Sequence, residues 1–172
     1  MNRSPLIALF AGLLVAGAAL AAAPQPTKPV STSFYSGRWY EIARIPNSGQ
    51  RDCQAAYTQF ASTGAQFQVN QVCRKGSPTG AAKTFVTKGR ILPATNNAKF
   101  EMSFFGGIRK QEYWVLDTAA DGGWTLMATP GGNYIWLLSR KAVMPEATRA
   151  AAIARIRALG YRQKLEFPAQ TG

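Results

Sequence analysis

Gly37-Arg38-Trp39-Tyr40-Glu41-Ile42-Ala43 is the stretch of this 172-residue chain from which the fold can be read. A glycine leads into a run of period-two character, the mark of a strand with one covered face. Placing Trp39 on the covered face puts Glu41, Ala43 and Ile45 there with it, because successive side chains of a strand point to opposite sides. The strand is expected over residues 38–46.

The same rhythm recurs along the chain at residues 53–60, 66–74, 83–92, 98–105, 111–117, 124–129 and 134–140, each segment bounded by Gly, Pro, Asn or Asp. Eight short segments with mostly hairpin-length connections predict an all-β domain, an antiparallel barrel or sandwich. Pro145 and Glu146 open a helix whose apolar stripe is Ala150, Ile153, Ile156 and Leu159, and Gly160 stops it. A last short strand, residues 162–167, is expected to join the sheet or lie along it. No second linker, repeat or low-complexity tract divides the chain.

Cys53 and Cys73 are the only cysteines. If the hairpin between the second and third segments is centred on Thr63, the two sit directly opposite each other. Opposed residues in an antiparallel pair have Cα atoms about 4.5–5.5 Å apart, which suits a disulfide. A redox role is disfavoured because the pair is not a Cys-x-x-Cys.

Residues 6–23 are apolar and follow a single cation, Arg3. The run has the length of a signal-peptide core plus a small-residue cleavage region, and Ala19-Leu20-Ala21 is the best cleavage signal. Residues 1–21 are therefore expected to be a signal peptide, 22–33 an extended Pro-rich lead-in and 34–172 the folded domain. An uncleaved anchor is the alternative. With no cysteine at the junction to acylate and no twin-Arg pair, a soluble periplasmic protein exported unfolded is the expectation. Without Arg3 the chain keeps 19 Lys/Arg against 8 Asp/Glu, a net charge of +11. Such an excess favours peripheral contact with an anionic membrane surface and the approach of anionic ligands. A solvated basic surface with no partner explains it equally well. Scattered cations and an extracytoplasmic address argue against nucleic acid.

Residues 37–43 resemble the Gly-x-Trp motif that opens the first strand of the lipocalins. Tyr113-Trp114-Val115-Leu116-Asp117-Thr118 is similar to their second motif, without its usual Thr-Asp-x-x-Tyr ending. Tyr134-Ile135-Trp136-Leu137-Leu138-Ser139-Arg140 resembles the third, with its terminal Arg, and residues 98–106 are similar to the fifth strand of the family. The resemblance runs from about Phe34 to Phe167 and is nearest the bacterial lipocalins and apolipoprotein D, without the lipid-anchor cysteine of the former. It implies an eight-stranded antiparallel up-and-down barrel with a C-terminal helix and a short final strand. It also implies that Gly37, Trp39 and Arg140 close the base, with the guanidinium covering the indole in a cation–π contact. The first strand would run from closed base to open mouth. The bridge would then brace the mouth loops 48–52 and 76–82.

Strand alternation proposes the inward side chains. Ala43 shares the face of Trp39, and Tyr57 that of Cys53. Phe67 and Val69 share a face with Gln71, and Phe100 and Met102 share one with Phe104. Tyr113, Met127 and Thr125 join them, as do Tyr134, Trp136 and Leu138. A one-residue slip would turn a whole strand's set outward. Aromatic and Met surfaces with a few Tyr, Thr and Gln groups are the usual make-up of a ligand pocket. They are also consistent with a packed core.

There is no histidine, which removes Ser-His-Asp and Cys-His catalysis and every His metal or haem ligand. The acidic residues show no metal-ligand spacing, no Gly-rich phosphate loop follows a strand, and Asp117 reads as a hydrogen-bond acceptor rather than a catalytic acid. No cofactor is expected and no enzymatic activity. The expected function is to bind and carry or store a small lipophilic molecule, a fatty acid, lysophospholipid or similar amphiphile, with Arg51, Arg74, Lys75, Arg109 and Lys110 as candidate mouth cations. One alternative is a barrel filled by its own side chains, acting through its surface as an envelope or protein adaptor. A less favoured one is a lipocalin-type enzyme on a lipophilic substrate.

Overall fold

Eight strands, hydrogen-bonded in chain order and all antiparallel, close into a barrel in the computed structural model, which describes residues 22–170. They are β1 (Gly37–Arg44), β2 (Cys53–Ser62), β3 (Gln66–Lys75), β4 (Ala82–Ile91), β5 (Lys99–Phe104), β6 (Arg109–Thr118), β7 (Trp124–Ala128) and β8 (Ile135–Ser139). One helix, α1 (Glu146–Ala158), follows them. The expected signal peptide, 1–21, lies outside the described residues. The expected last strand contracts to a single antiparallel bridge between Glu166 and Arg44. Closure leaves β1 bonded on both sides, by β2 and β8. β1 parts from β2 after Tyr40, its free end at Arg44 takes the Glu166 bridge, and Pro168 has no N–H with which to continue a ladder.

Trp39 stands at the start of β1 and marks the base. Arg44 at the strand's other end marks the mouth, so the loops 45–52, 76–81, 105–108 and 129–134 form the rim. The base half of the interior is solid. A 3-10 turn (Thr32–Tyr35) lays Phe34 and Tyr35 beneath the strands, where they meet Trp39, Phe60, Phe67 and Phe100. Ring centroids lie 4.9 Å apart for Tyr35 and Phe67, and 5.6 Å for Phe67 and Phe100. Each such side chain, fully buried, stabilises the fold by about 1.5–3 kcal/mol. Gly89 of β4 faces this cluster, and a Cβ there would lie 2.3 Å from the Phe67 ring. The missing side chain makes room for that ring.

A second apolar layer lies outside the barrel. Ala152 and Ile156 of α1 are buried against the outward residues Ile42, Leu116, Leu126, Ile135 and Leu137. Ala150, expected in the stripe, is exposed, and Ala152 takes its place. Covered on both faces, β8 is buried at all five positions, which is why it reads as a continuous apolar run.

Asp117 ties these layers together. Its carboxylate accepts from Lys28 Nζ and Arg155 Nε, each at 2.7 Å, and from the Thr118 N–H at 2.9 Å. Burial opposes ionisation, but these donors outweigh it and hold the carboxyl below the usual aspartate range. A depressed folded-state pKa contributes stability that is present above the unfolded value and lost as pH falls through the folded one. Asp117→Asn is therefore expected to lower the urea midpoint at neutral pH, and the difference from the parent should vanish in strong acid, below both values. A difference that persists there would mean that the loss is steric.

The disulfide joins Cys53 to Cys73, with Cα atoms 5.4 Å apart, but not through the expected register. The turn is centred between Gly64 and Ala65, since Ser62 pairs with Phe67 and the Thr63 N–H donates to Gln66 O. Gly64 has φ +92°, a left-handed conformation that glycine adopts without strain, so the reversal falls past Thr63. Cys73 thus faces Ala56, and Cys53 faces Lys75. A bulge between Cys53 and Ala55 then brings the diagonal pair within bridging distance.

Candidate functional site

Above the aromatic floor the barrel holds a cavity of about 520 Å³ that opens at the mouth. Met102 and Phe104 of β5, Tyr113 of β6 and Met127 of β7 line it, with Tyr134, Trp136 and Leu138 leading into and along β8. Phe67, Val69 and Phe100 point inward but lie below, in the packed base. Two expected residues are not in the interior. Ala43 is fully buried in the outer layer beneath α1, because a bulge between Glu41 and Ala43 inverts the alternation. Tyr57 faces outward, opposite Tyr40 and under the Arg38 guanidinium at 4.1 Å. The bulge after Cys53 produced that inversion, and it turns Thr58 and Phe60 inward to the cavity instead. Phe85 of β4 and Gln50 of the β1–β2 loop also line it. Phe85 could have been found as the one aromatic of its strand; Gln50 sits in a loop and has no periodic signal.

The base is closed as the motif implied. The Arg140 guanidinium lies 3.7 Å from the Trp39 ring centroid and donates to the carbonyls of Ser36 (2.7 Å), Arg38 (3.1 Å) and Ser33 (2.7 Å). The Trp39 indole N–H donates to Phe34 O at 2.9 Å. Gly37 has φ +75°, and a Cβ there would stand 3.2 Å from the Arg140 guanidinium. Only glycine combines that backbone with that approach.

The cavity wall carries one buried ion pair. Glu41 Oε2 accepts from Arg44 Nη1 at 3.0 Å, and both side chains are almost wholly enclosed. Gln50 Nε2 donates to both Glu41 oxygens, at 2.6 and 2.7 Å, while its Oε1 accepts from the Trp136 indole N–H at 2.9 Å. Arg44 donates further to Cys53 O at 2.8 Å and Glu166 at 3.1 Å. Gln170 bridges the carbonyls of Glu41 and Ala56 at 2.6 and 2.8 Å. Together these side chains seal the seam where β1 and β2 diverge, for the two strands pair only from Gly37 to Tyr40. Burial raises the Glu41 pKa, with Arg44 and Gln50 acting against the rise.

Burial also pushes Tyr113 up to about 12, so its phenol stays neutral and able to donate. Thr129 Oγ1, on the same wall, has no hydrogen-bond partner. Of the candidate mouth cations, Lys75 and Arg109 reach the wall, and Lys83 joins them. Arg74 instead donates to Gly80 O at 3.1 Å, and Lys110 pairs with Glu101 at 3.4 Å. Arg51 is exposed and lies off the wall. Among the described residues no group of acidic and cysteine side chains is placed to hold a metal ion, and no helix is long and apolar enough to cross a membrane.

A closed eight-stranded barrel with a plugged base and an open apolar cavity defines a calyx-type binding protein. Residues 30–170 match the model of the lipocalin-like domain, and the chain belongs to the lipocalin family, whose members bind small hydrophobic ligands. It is 29% identical over 156 residues to apolipoprotein D of Cavia porcellus, covering 83% of this chain and 81% of that protein. It is also 29% identical over 147 residues to temperature-induced lipocalin-1 of Arabidopsis thaliana, covering 78% and 75%. Among solved structures, insecticyanin of the tobacco hornworm Manduca sexta superposes with a TM-score of 0.69 at 18% identity, covering 86% of this chain and 84% of that one. A likeness at that identity speaks to the fold.

Proposed function

We propose that this protein binds and carries a single-chain amphiphile, a fatty acid, lysophospholipid or similar molecule, in the periplasm or outer envelope. The observation that carries this reading is the cavity. Its volume lies within the roughly 300–1,000 Å³ range of small-molecule sites, and its wall combines Phe, Met, Leu and Trp surfaces with a rim of Lys75, Lys83 and Arg109. The apolar wall would take the chain and the rim cations an anionic head. Tyr113 on the wall and Thr129 at the rim offer hydrogen bonds to a polar group. Seven of the twelve side chains expected to contact ligand line this space, and we assign them that role together with Thr58, Phe60 and Phe85. A barrel filled by its own side chains describes the base half only.

Displacement of a fluorescent fatty acid by unlabelled chains tests the reading. Burial of each methylene contributes about 0.8 kcal/mol, so affinity is expected to rise about fourfold per added CH₂ until the cavity is full, then level off. Affinity independent of chain length would refute burial as the driving force, and no saturable binding would refute the carrier reading itself. Mass spectrometry of bound ligand before and after incubation checks that it leaves chemically unchanged.

A further inference from the structure

Five large apolar side chains of the described residues are exposed, and three of them gather beside the mouth: Ile108 at 90%, Phe105 at 66% and Val86 at 58%. Phe105 and Ile108 belong to the turn between β5 and β6. Val86 lies two residues toward the rim from Lys88, whose partner across β4–β5 is Ser103. The turn projects outward because Phe105, Gly106 and Gly107 all have positive φ, at 53°, 69° and 100°. Glycines adopt that region freely, whereas a phenylalanine there is strained. Phe105 borders the cavity mouth and meets the edge of Phe85, with centroids 5.9 Å apart, yet most of its ring stays exposed.

Cations predominate around this apolar tip, and the acidic Glu101 beside it is held between Arg90 and Lys110. Arg109 and Lys110 follow the turn directly, and Lys75, Lys83 and Arg51 stand on the neighbouring rim segments. The four rim loops contain a single acidic residue, Asp52. Exposed aromatic and aliphatic groups ringed by cations match the two layers of an anionic lipid leaflet, the acyl boundary and the headgroups. A protein partner would need acidic and apolar surface in the same arrangement, with no such requirement visible elsewhere on the rim.

We propose that the β5–β6 turn is a membrane-docking tip. Ile108 and Phe105 enter the interface of an anionic phospholipid leaflet, Arg109, Lys110 and Lys83 contact headgroups, and the cavity mouth opens toward the lipid. Docking itself does not depend on cargo; its use, exchange of an amphiphile with the leaflet, rests on the carrier reading above.

Flotation with vesicles of phosphatidylcholine, alone or mixed with equimolar phosphatidylglycerol, tests the tip, all chains compared having the same N-terminus. The parent protein is expected to float with the anionic vesicles, to float less as salt rises, and to leave the zwitterionic ones largely unbound. Ile108→Ser should lower the partition about tenfold and Lys110→Gln about fivefold. Val143→Ser, which removes a side chain 71% exposed beyond the base end, should leave it unchanged. Equal partition of parent and Ile108→Ser, equal partition into the two lipids, or no flotation of the parent would each overturn docking. Fatty-acid displacement in lipid-free buffer is run in parallel. Ile108 and Lys110 do not line the cavity, so uptake retained in their variants shows intact folding, while absence of uptake in the parent would sink the carrier reading and leave docking to be judged by flotation.

Discussion

Trp39→Ala is expected to destabilise the barrel by about 3–5 kcal/mol, the range for removing a fully buried indole from a packed site. Trp39 is 1% exposed and touches Phe34 at a centroid distance of 5.4 Å. Three losses coincide in the variant. The floor opens a void, Phe34 O loses its donor, and the Arg140 guanidinium loses the ring on which it lies while still bound to three carbonyls. For a domain of this size that amounts to a fall in Tm of roughly 10 °C. Trp39→Phe separates the losses, because it keeps most of the apolar volume and forfeits the indole N–H, and its cost should be markedly smaller. Urea denaturation of both variants is the measurement. Equal costs would place the weight on the hydrogen bond rather than on the plug.

Arg44→Met is the second large effect, also about 3–5 kcal/mol, since it leaves Glu41 buried without its counter-charge. Glu41 would keep only the two contacts from Gln50, and Cys53 O would lose a donor. Adding Glu41→Gln should recover much of the loss, because the uncompensated charge is then gone. The pH dependence has a definite sign. Burial already raises the folded-state pKa of Glu41 above its unfolded value, so its ionised form costs stability, and that cost is relieved as pH falls through the folded value. Losing Arg44 raises the pKa further. The penalty of Arg44→Met is therefore expected to be greatest at neutral pH and to shrink in mild acid. A penalty independent of pH, read from urea midpoints, would show that Arg44 matters for its backbone contacts and not for Glu41.

These residues also show where sequence reasoning ends. The number and order of strands were legible because each strand has a covered face, and a covered face leaves a period of two in the chain. The base closure was legible only because the stretches holding Gly37, Trp39 and Arg140 resemble lipocalin motifs. Phe100, Met102 and Phe104 point inward as alternation requires, since β5 carries no bulge against either neighbour. Ala43 and Tyr57 lie just past bulges, at Glu41/Ala43 and Cys53/Ala55, and there the same rule points the wrong way. A bulge is one extra residue in a ladder, and no local composition announces it. Gln50 and the Glu41–Arg44 pair were hidden for another reason. Alternation places Glu41 on the covered face but does not name its partners, Arg44 beyond a bulge of the same strand and Gln50 in a loop.

By itself the sequence determined eight antiparallel strands in a barrel or sandwich, a trailing helix and the Cys53–Cys73 pairing, and its resemblance to the lipocalin motifs added the closed barrel and the indole–guanidinium base. The first three follow from local periodicity, turn chemistry and the scarcity of cysteine, the last two from the motifs alone. Only the tertiary structure decided that the interior is solid at the base and open at the mouth. The stretch 37–43 contributes to both ends, with Trp39 in the floor and Glu41 in the cavity wall. The size of that cavity depends on how side chains from different strands meet: Phe67 fills the space left by Gly89 across β3 and β4, while the side chains nearer the mouth leave the interior open. Volume of this kind is a sum over contacts between residues distant in the chain, and a one-dimensional pattern does not carry it.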